Sequence, residues 1–206
     1  MELANWRERV KAYIEDAARP VDKYGHQPRL YALACEIAGD PEIAGQCDDD
    51  VVFAAAWMHD LGVFTGHRPA NPEELARWNH VPYTVAKSRD LLLEWGFPAE
   101  KLDKVGEVIE THQPQDEPRI PEAVVVRDAD MLEQLGAIGL LRAFTKVGRD
   151  TRFSRFTDVV PVAERAQREL PGRLRLGRTR ELARARISIV EIFLKGLGDE
   201  AGGSLY

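Results

Sequence analysis

Apolar stripes at helical spacing alternate along this chain with short polar or proline-rich breaks, and they predict one helix after another. From Trp6 to about Ala18, Val10, Tyr13 and Ile14 recur at the period of an amphipathic helix that stops before Pro20. A second helix is expected to open near Pro28, where proline suits a first turn. Leu30, Leu33, Ala34 and Ile37 form its inner face, and Gly39-Asp40-Pro41 ends it. The run Val51–Met58 is apolar all round, which predicts a helix buried on all sides. Asp48-Asp49-Asp50 before it places carboxylates at the positive end of that helix.

Residues 62–79, with Gly62, Gly66, Pro69 and Pro72, read as a loop holding a short helical piece near Glu73–Arg77. A helix from His80 to Trp95 follows, with Val81, Val85, Leu92 and Trp95 on one side and Gly96-Phe97-Pro98 as its break. The next is expected from Ala99 to His112, with a turn at Pro118–Pro121. Ala123 to about Phe144 predicts one long helix despite its three valines, and 145–160, with Gly148 and Asp150, an exposed loop anchored by Phe153 and Phe156. A closing helix to about Leu197 would turn Leu182, Ala185, Ile189, Ile192 and Phe193 inward and its arginines outward, before a frayed tail at Gly198–Tyr206. With no repeat, linker or strand pattern, the expected fold is all-α: a single multi-helix bundle over residues 1–206.

Bulk properties narrow the function. With 44% apolar and 30% charged residues, the 206-residue chain has ample core for one domain. Its net charge of -6 argues against a general nucleic-acid partner. No stretch is apolar enough to span a bilayer, and Met1–Arg7 lacks a signal-peptide pattern, so a cytoplasmic location is expected. Cys35 and Cys47 have no CxxC partner, so no thiolate zinc site is expected.

The chemistry gathers at helix ends. A buried helix that closes on His59-Asp60 must find partners for both groups, and a metal ion is the strongest partner. His26, His80, His112 and the pair Asp128/Asp130 supply matching groups. His112 continues the face of Leu102, Val105 and Ile109, so it points inward. Residues two apart on a helix face different ways, so one aspartate of Asp128-Ala129-Asp130 binds an ion while the other caps, pairs or orients.

The order His26, His59-Asp60, Asp130 resembles the H…HD…D pattern of the HD-domain metal-dependent phosphohydrolases. The flanking text is similar too: His26-Gln-Pro-Arg29, Ala54-Ala-Ala-Trp-Met-His-Asp-Leu-Gly62, Ile109-Glu-Thr-His112 and Arg127-Asp-Ala-Asp-Met-Leu-Glu-Gln-Leu-Gly-Ala-Ile-Gly139. The last resembles the box of an aspartate-alanine-aspartate subgroup, and the likeness covers roughly residues 20–198. It implies His26, His59, Asp60 and Asp130 as metal ligands, Asp130 rather than Asp128 because it directly precedes a hydrophobic pair. It implies catalytic roles for Asp60, His80 and His112, the two histidines holding a second metal or contacting phosphate. Thr84 stands where the subgroup often has serine, and Met131 where it often has arginine.

The mixed imidazole-carboxylate set suits Mn, Fe, Co, Ni or Zn as divalent ions, one or two of them. The expected reaction is metal-assisted hydrolysis of a phosphate ester or anhydride in a small nucleotide, a triphosphate first. Arg29, one turn after His26, is the first candidate phosphate-binding cation, followed by Lys87 and Arg142, then Arg127 and Lys146. His67 is expected to be an exposed loop histidine. The alternatives are a 5′-nucleotidase on monophosphates, a nucleotide-binding module without turnover, and a di-iron oxygen enzyme. Val81-Pro82-Tyr83 does not match the signature of the HD-GYP cyclic-dinucleotide phosphodiesterases. A monomer or homodimer is expected, with Phe153 and Phe156 as candidate dimer-face aromatics.

Overall fold

The computed structural model describes residues 5–19, 25–149 and 153–205; the readings that fall on Met1–Ala4, Pro20, Asp150 and Tyr206 lie outside them. Among the described residues the chain is all-helical, with no strand, and no helix is long and apolar enough to cross a membrane. It divides into two compact units, residues 1–127 and 128–206.

The first unit is built around the apolar run. α1 (Trp6–Ala17) starts where the Asn5 side chain accepts from the Arg7 amide, and it buries Val10 and Ile14. α2 (His26–Ala38) starts one residue after Gly25 and buries the predicted Leu30, Leu33, Ala34 and Ile37. α3 (Asp49–Met58) is capped by the Asp48 side chain on the Asp50 amide at 3.0 Å, and every residue from Val51 to Met58 is buried. It packs against α1, α2 and α6. Trp6 stands edge-on to Phe53 and Phe97, with centroids 5.4 and 4.8 Å apart. The acidic triplet does more than cap: Arg7 pairs with Asp49 and Asp50, and Lys101 with Asp48 and Asp50. These cations, Arg7 first, hold the Asp50 carboxyl below the usual carboxylate range.

α4 (Pro72–Ala76) is the short piece expected in the 62–79 loop, capped by Asn71. α5 (His80–Glu94) packs on α6 and on a 3-10 turn at Leu61–Val63. Its buried face is Thr84, Ser88, Leu91 and Leu92, whereas the expected Val81, Val85 and Trp95 are only half-buried. The helix expected over Ala99–His112 splits into a 3-10 turn at Ala99–Lys101 and α6 (Leu102–Glu110), so His112 lies just beyond a helix end.

α7 (Pro121–Glu133) contains the unit boundary, and the helix expected to reach Phe144 ends there. α8 (Gly136–Phe144) restarts after Leu135 goes extended. Gly136 has φ +72°, and a Cβ on it would lie 3.1 Å from the Arg186 Cβ. A Cβ on Gly139 would collide with the Gln134 carbonyl. Two glycines that look like helix positions therefore make the break. α9 (Phe156–Glu169) begins inside the last residues of the expected loop and runs on beyond it; Asp158 accepts from the Ser154 and Arg155 amides, both at 2.9 Å, and starts it. Only Val159 and Ala163 are fully buried there, and Pro161 lies inside the helix on its exposed side.

α10 (Gly177–Ala201) runs through the start of the expected frayed tail. Its inward face also differs from expectation. Thr179, Ala183 and Val190 are buried, whereas Ala185, Ile189, Ile192 and Phe193 are exposed and Leu182 is half-buried. The second unit's core joins Leu140, Ala163 and Val190, with Phe144 and Leu194 against them. Small residues let α10 approach α8 and α9, and the larger aliphatics are left outside.

Candidate metal centre

Four histidines and one aspartate of the first unit converge from four helix ends. His26 is the first residue of α2, His59 closes α3, His80 opens α5 and His112 follows α6. Asp60 comes from the turn after α3. One donor atom from each of His26, His59 and Asp60 lies within 4.8 Å of the other two, and the same holds for Asp60, His80 and His112. Asp60 belongs to both triads: its Oδ2 is 3.8 Å from His59 Nε2 and its Oδ1 3.8 Å from His80 Nε2.

Hydrogen bonds fix the imidazoles. His59 Nδ1 lies 3.0 Å from the Ala56 carbonyl and His112 Nδ1 2.6 Å from that of Ile109. A carbonyl only accepts, so each Nδ1 carries the proton and each Nε2 lone pair is left for a ligand. His26 Nε2 stands 3.3 Å from His59 Nε2, two buried nitrogens turned to one point beside a carboxylate. Such a set of imidazole nitrogens and carboxylate oxygens fits a divalent transition ion.

Gly62 welds the turn to α5. Its amide donates to Thr84 Oγ1 at 3.0 Å, that hydroxyl donates to the His80 carbonyl at 2.8 Å, and Trp78 Nε1 donates to the Gly62 carbonyl at 2.8 Å. A Cβ on Gly62 would lie 2.8 Å from Thr84 Oγ1 and 2.9 Å from the His80 carbonyl, so only glycine lets Asp60 and His80 come this close. The hydroxyl at position 84 is a brace, a role its buried place on α5 makes possible.

Other expected residues fall elsewhere. Arg29 folds its guanidinium back toward the start of α2, where a Cβ on Gly25 would be 2.9 Å from Nη1. Arg127 is buried and donates to the carbonyls of Gln113 at 3.2 Å and Pro114 at 2.7 Å, which anchors the segment after His112. His67 corrects the expectation of an exposed loop residue: it is half-buried between two tyrosine hydroxyls, Tyr83 at 2.8 Å and Tyr13 at 3.2 Å. Burial first, then the nearby Lys87 ammonium, lowers its pKa. The Cys47 thiol is pushed up to about 11 by burial, then by Glu122, so it is no nucleophile at neutral pH.

In the second unit Asp128 is a cap. Its carboxylate accepts from the amides of Arg175 at 3.0 Å and Leu176 at 3.1 Å and from Thr179 Oγ1 at 2.7 Å, at the start of α10. Asp130 is buried, with the Gln134 amide 3.2 Å from its Oδ2. Arg142 lies 3.9 Å from the Glu133 carboxylate and donates to the Glu133 carbonyl, and Lys146 stands over the Phe153 ring.

Residues 24–135 match the family model described as HD domain. No curated protein matches the chain. Among solved structures, Bacillus subtilis YpgQ in its selenomethionine form is 24% identical, with a TM-score of 0.72 over 96% of this chain and 97% of that one. YpgQ in complex with ADP gives 22% and 0.70 over 96% and 98%. An HD-superfamily hydrolase from Bacillus thuringiensis gives 20% and 0.67 over 96% and 97%. At these identities the likeness establishes the fold.

Proposed function

The chain belongs to the HD domain family, and from that premise we propose that it is a metal-dependent phosphohydrolase acting on a small nucleotide. The observation that carries this reading is the pair of histidine triads hinged on Asp60. His26 and His59 with Asp60 would hold one ion, and by resemblance to the H…HD…D order Asp130 would be the remaining ligand. His80 and His112 with Asp60 would hold a second. A bound Mn, Fe, Co, Ni or Zn ion supplies Lewis acidity, polarising a phosphoryl oxygen and lowering the pKa of water.

The side chains do the rest. His26, His59 and His112 are sealed from solvent, whereas the Asp60 and His80 side chains keep some exposure with His80 Nε2 itself buried, so the proposed approach of substrate is past Asp60. Asp60 accepts a hydrogen bond from the attacking water, whose oxygen adds to phosphorus as the bond to the leaving oxygen breaks. His112 presents Nε2: as a lone pair it ligates an ion, and as an N–H it donates to a phosphoryl oxygen. Arg29, one turn after His26, is the first proposed phosphate-binding cation, followed by Lys87 and Arg142. Retention of Asp128-Ala129-Asp130 favours a nucleoside triphosphate, and the ADP complex of YpgQ is consistent with a nucleotide ligand.

Chromatographic analysis of Mn-loaded protein with nucleoside mono-, di- and triphosphates tests the proposal. Monophosphate and pyrophosphate released from a triphosphate are expected. Nucleoside and phosphate from a monophosphate would keep the phosphohydrolase and change the substrate. No product from any nucleotide would overturn the reading.

A further inference from the structure

One cavity of the first unit contains none of the metal-centre ligands. It is an open cleft of about 770 Å³ between α5, α6 and the segment at 117–120, within the size range of small-molecule sites. Val85, Leu92, Leu102 and Ile109 give it an apolar lining. At its wall sits Ser88, 1% exposed, whose hydroxyl has no hydrogen-bond partner. A buried hydroxyl left unpaired costs stability, so its retention in a cleft wall marks a place where a ligand atom can satisfy it. Gly106 lines the cleft from the middle of α6. Glycine weakens a helix interior, and a Cβ there would meet nothing nearer than Val85 Cγ1 at 3.7 Å, so its effect is to keep the cleft open.

The charge of the rim selects the ligand. Asp103, Glu107, Glu110 and Glu117 line it against Arg89 and Arg119. Arg89 is taken by Asp103 at 2.7 Å. Glu107 and Glu110, three apart and so on one face of α6, have no ion-pair partner among the described residues. We propose that this cleft is a second binding site, for a small organic cation: an amine on an apolar body, its ammonium between Glu107 and Glu110 and its polar end satisfying Ser88. The site is independent of the metal centre and of the reaction assigned to it.

Isothermal titration calorimetry of Mn-loaded protein with phenethylammonium tests this, with 2-phenylethanol and 3-phenylpropanoate as neutral and anionic counterparts. The cation is expected to bind one to one, the alcohol about tenfold more weakly, and the anion not at all. The double variant Glu107→Gln/Glu110→Gln is expected to weaken the cation about tenfold. Ser88→Ala is expected to weaken it while leaving the melting temperature unchanged or raised, because an unpaired buried hydroxyl is removed. Gly106→Leu, which fills the cleft, should abolish binding with an intact thermal transition. Equal affinity for all three probes, or full affinity in Gly106→Leu, would overturn the proposal. Because amines also ligate metals, His59→Ala provides the control: unchanged affinity supports the cleft, and lost affinity would place the amine at the metal centre and overturn it.

Discussion

The two triads share Asp60 but live in different environments. His26 and His59 are sealed in the core of the first unit, their Nε2 atoms 3.3 Å apart. His80 and Asp60 keep about one-sixth of their side-chain surface, 17% and 16%. Under the proposed function the difference would separate two tasks: the sealed pair would retain an ion, and the partly exposed pair, through Asp60, would meet substrate and product.

The sharpest way to break that division is substitution of the ligands. His59→Ala is expected to leave no bound metal and no turnover, with helical content by circular dichroism largely intact. Asp60→Asn should lower kcat by roughly 10²–10⁴-fold, because both triads and the water contact are lost together. By contrast, His80→Ala should keep the sealed ion while turnover falls, and metal analysis would separate these cases. If His80→Ala and His59→Ala lost metal equally, the two halves would not be distinct.

The braces come next. Gly62→Ala forces Thr84 and the His80 backbone apart, so the partly exposed half should lose 10–100-fold in metal affinity or activity, about the effect of removing an outer-shell partner. Thr84→Val should share that loss and Thr84→Ser should avoid it, since the bond to Gly62 needs only a hydroxyl. Arg127→Met leaves the Gln113 and Pro114 carbonyls without that partner and should cost about 1–3 kcal/mol by urea unfolding, with the metal affinity of the His112 side weakened.

The smallest effect lies at the far end of α3. Arg7 first, then Lys101, depresses the folded pKa of Asp50, so the stabilisation is present above the unfolded carboxylate pKa and is lost as pH falls through the folded value. These groups are partly exposed, so the contribution is under about 1 kcal/mol. Arg7→Met should therefore lower the urea midpoint at pH 7 and narrow its gap from wild type at pH 3. An equal gap at both pH values would show that packing, including the cation over the Phe53 ring, carries Arg7's effect.

Much of this was legible in residue types. An apolar run ending in His59-Asp60 announces a buried polar pair, and four histidines at expected helix ends are brought together in the first unit. What escaped reading depends on approach. Gly136 and Gly139 break a helix because of the Arg186 side chain and the Gln134 carbonyl, neither visible in a local window. The inner face of α10 is chosen by small residues that fit, so the larger aliphatics gave the wrong face. His67 looked like loop punctuation because Tyr13 and Tyr83 are distant in sequence. A cap was one of the roles expected for a member of the pair Asp128/Asp130, and Asp128 fills it at the start of α10.

The most direct test of the account is the metal content of Mn-loaded wild type, His80→Ala and His59→Ala by inductively coupled plasma mass spectrometry, read beside turnover of a nucleoside triphosphate. Two ions with turnover are expected in the wild type, one ion with turnover nearly lost in His80→Ala, and neither in His59→Ala. Retained metal and full turnover in His59→Ala would contradict it.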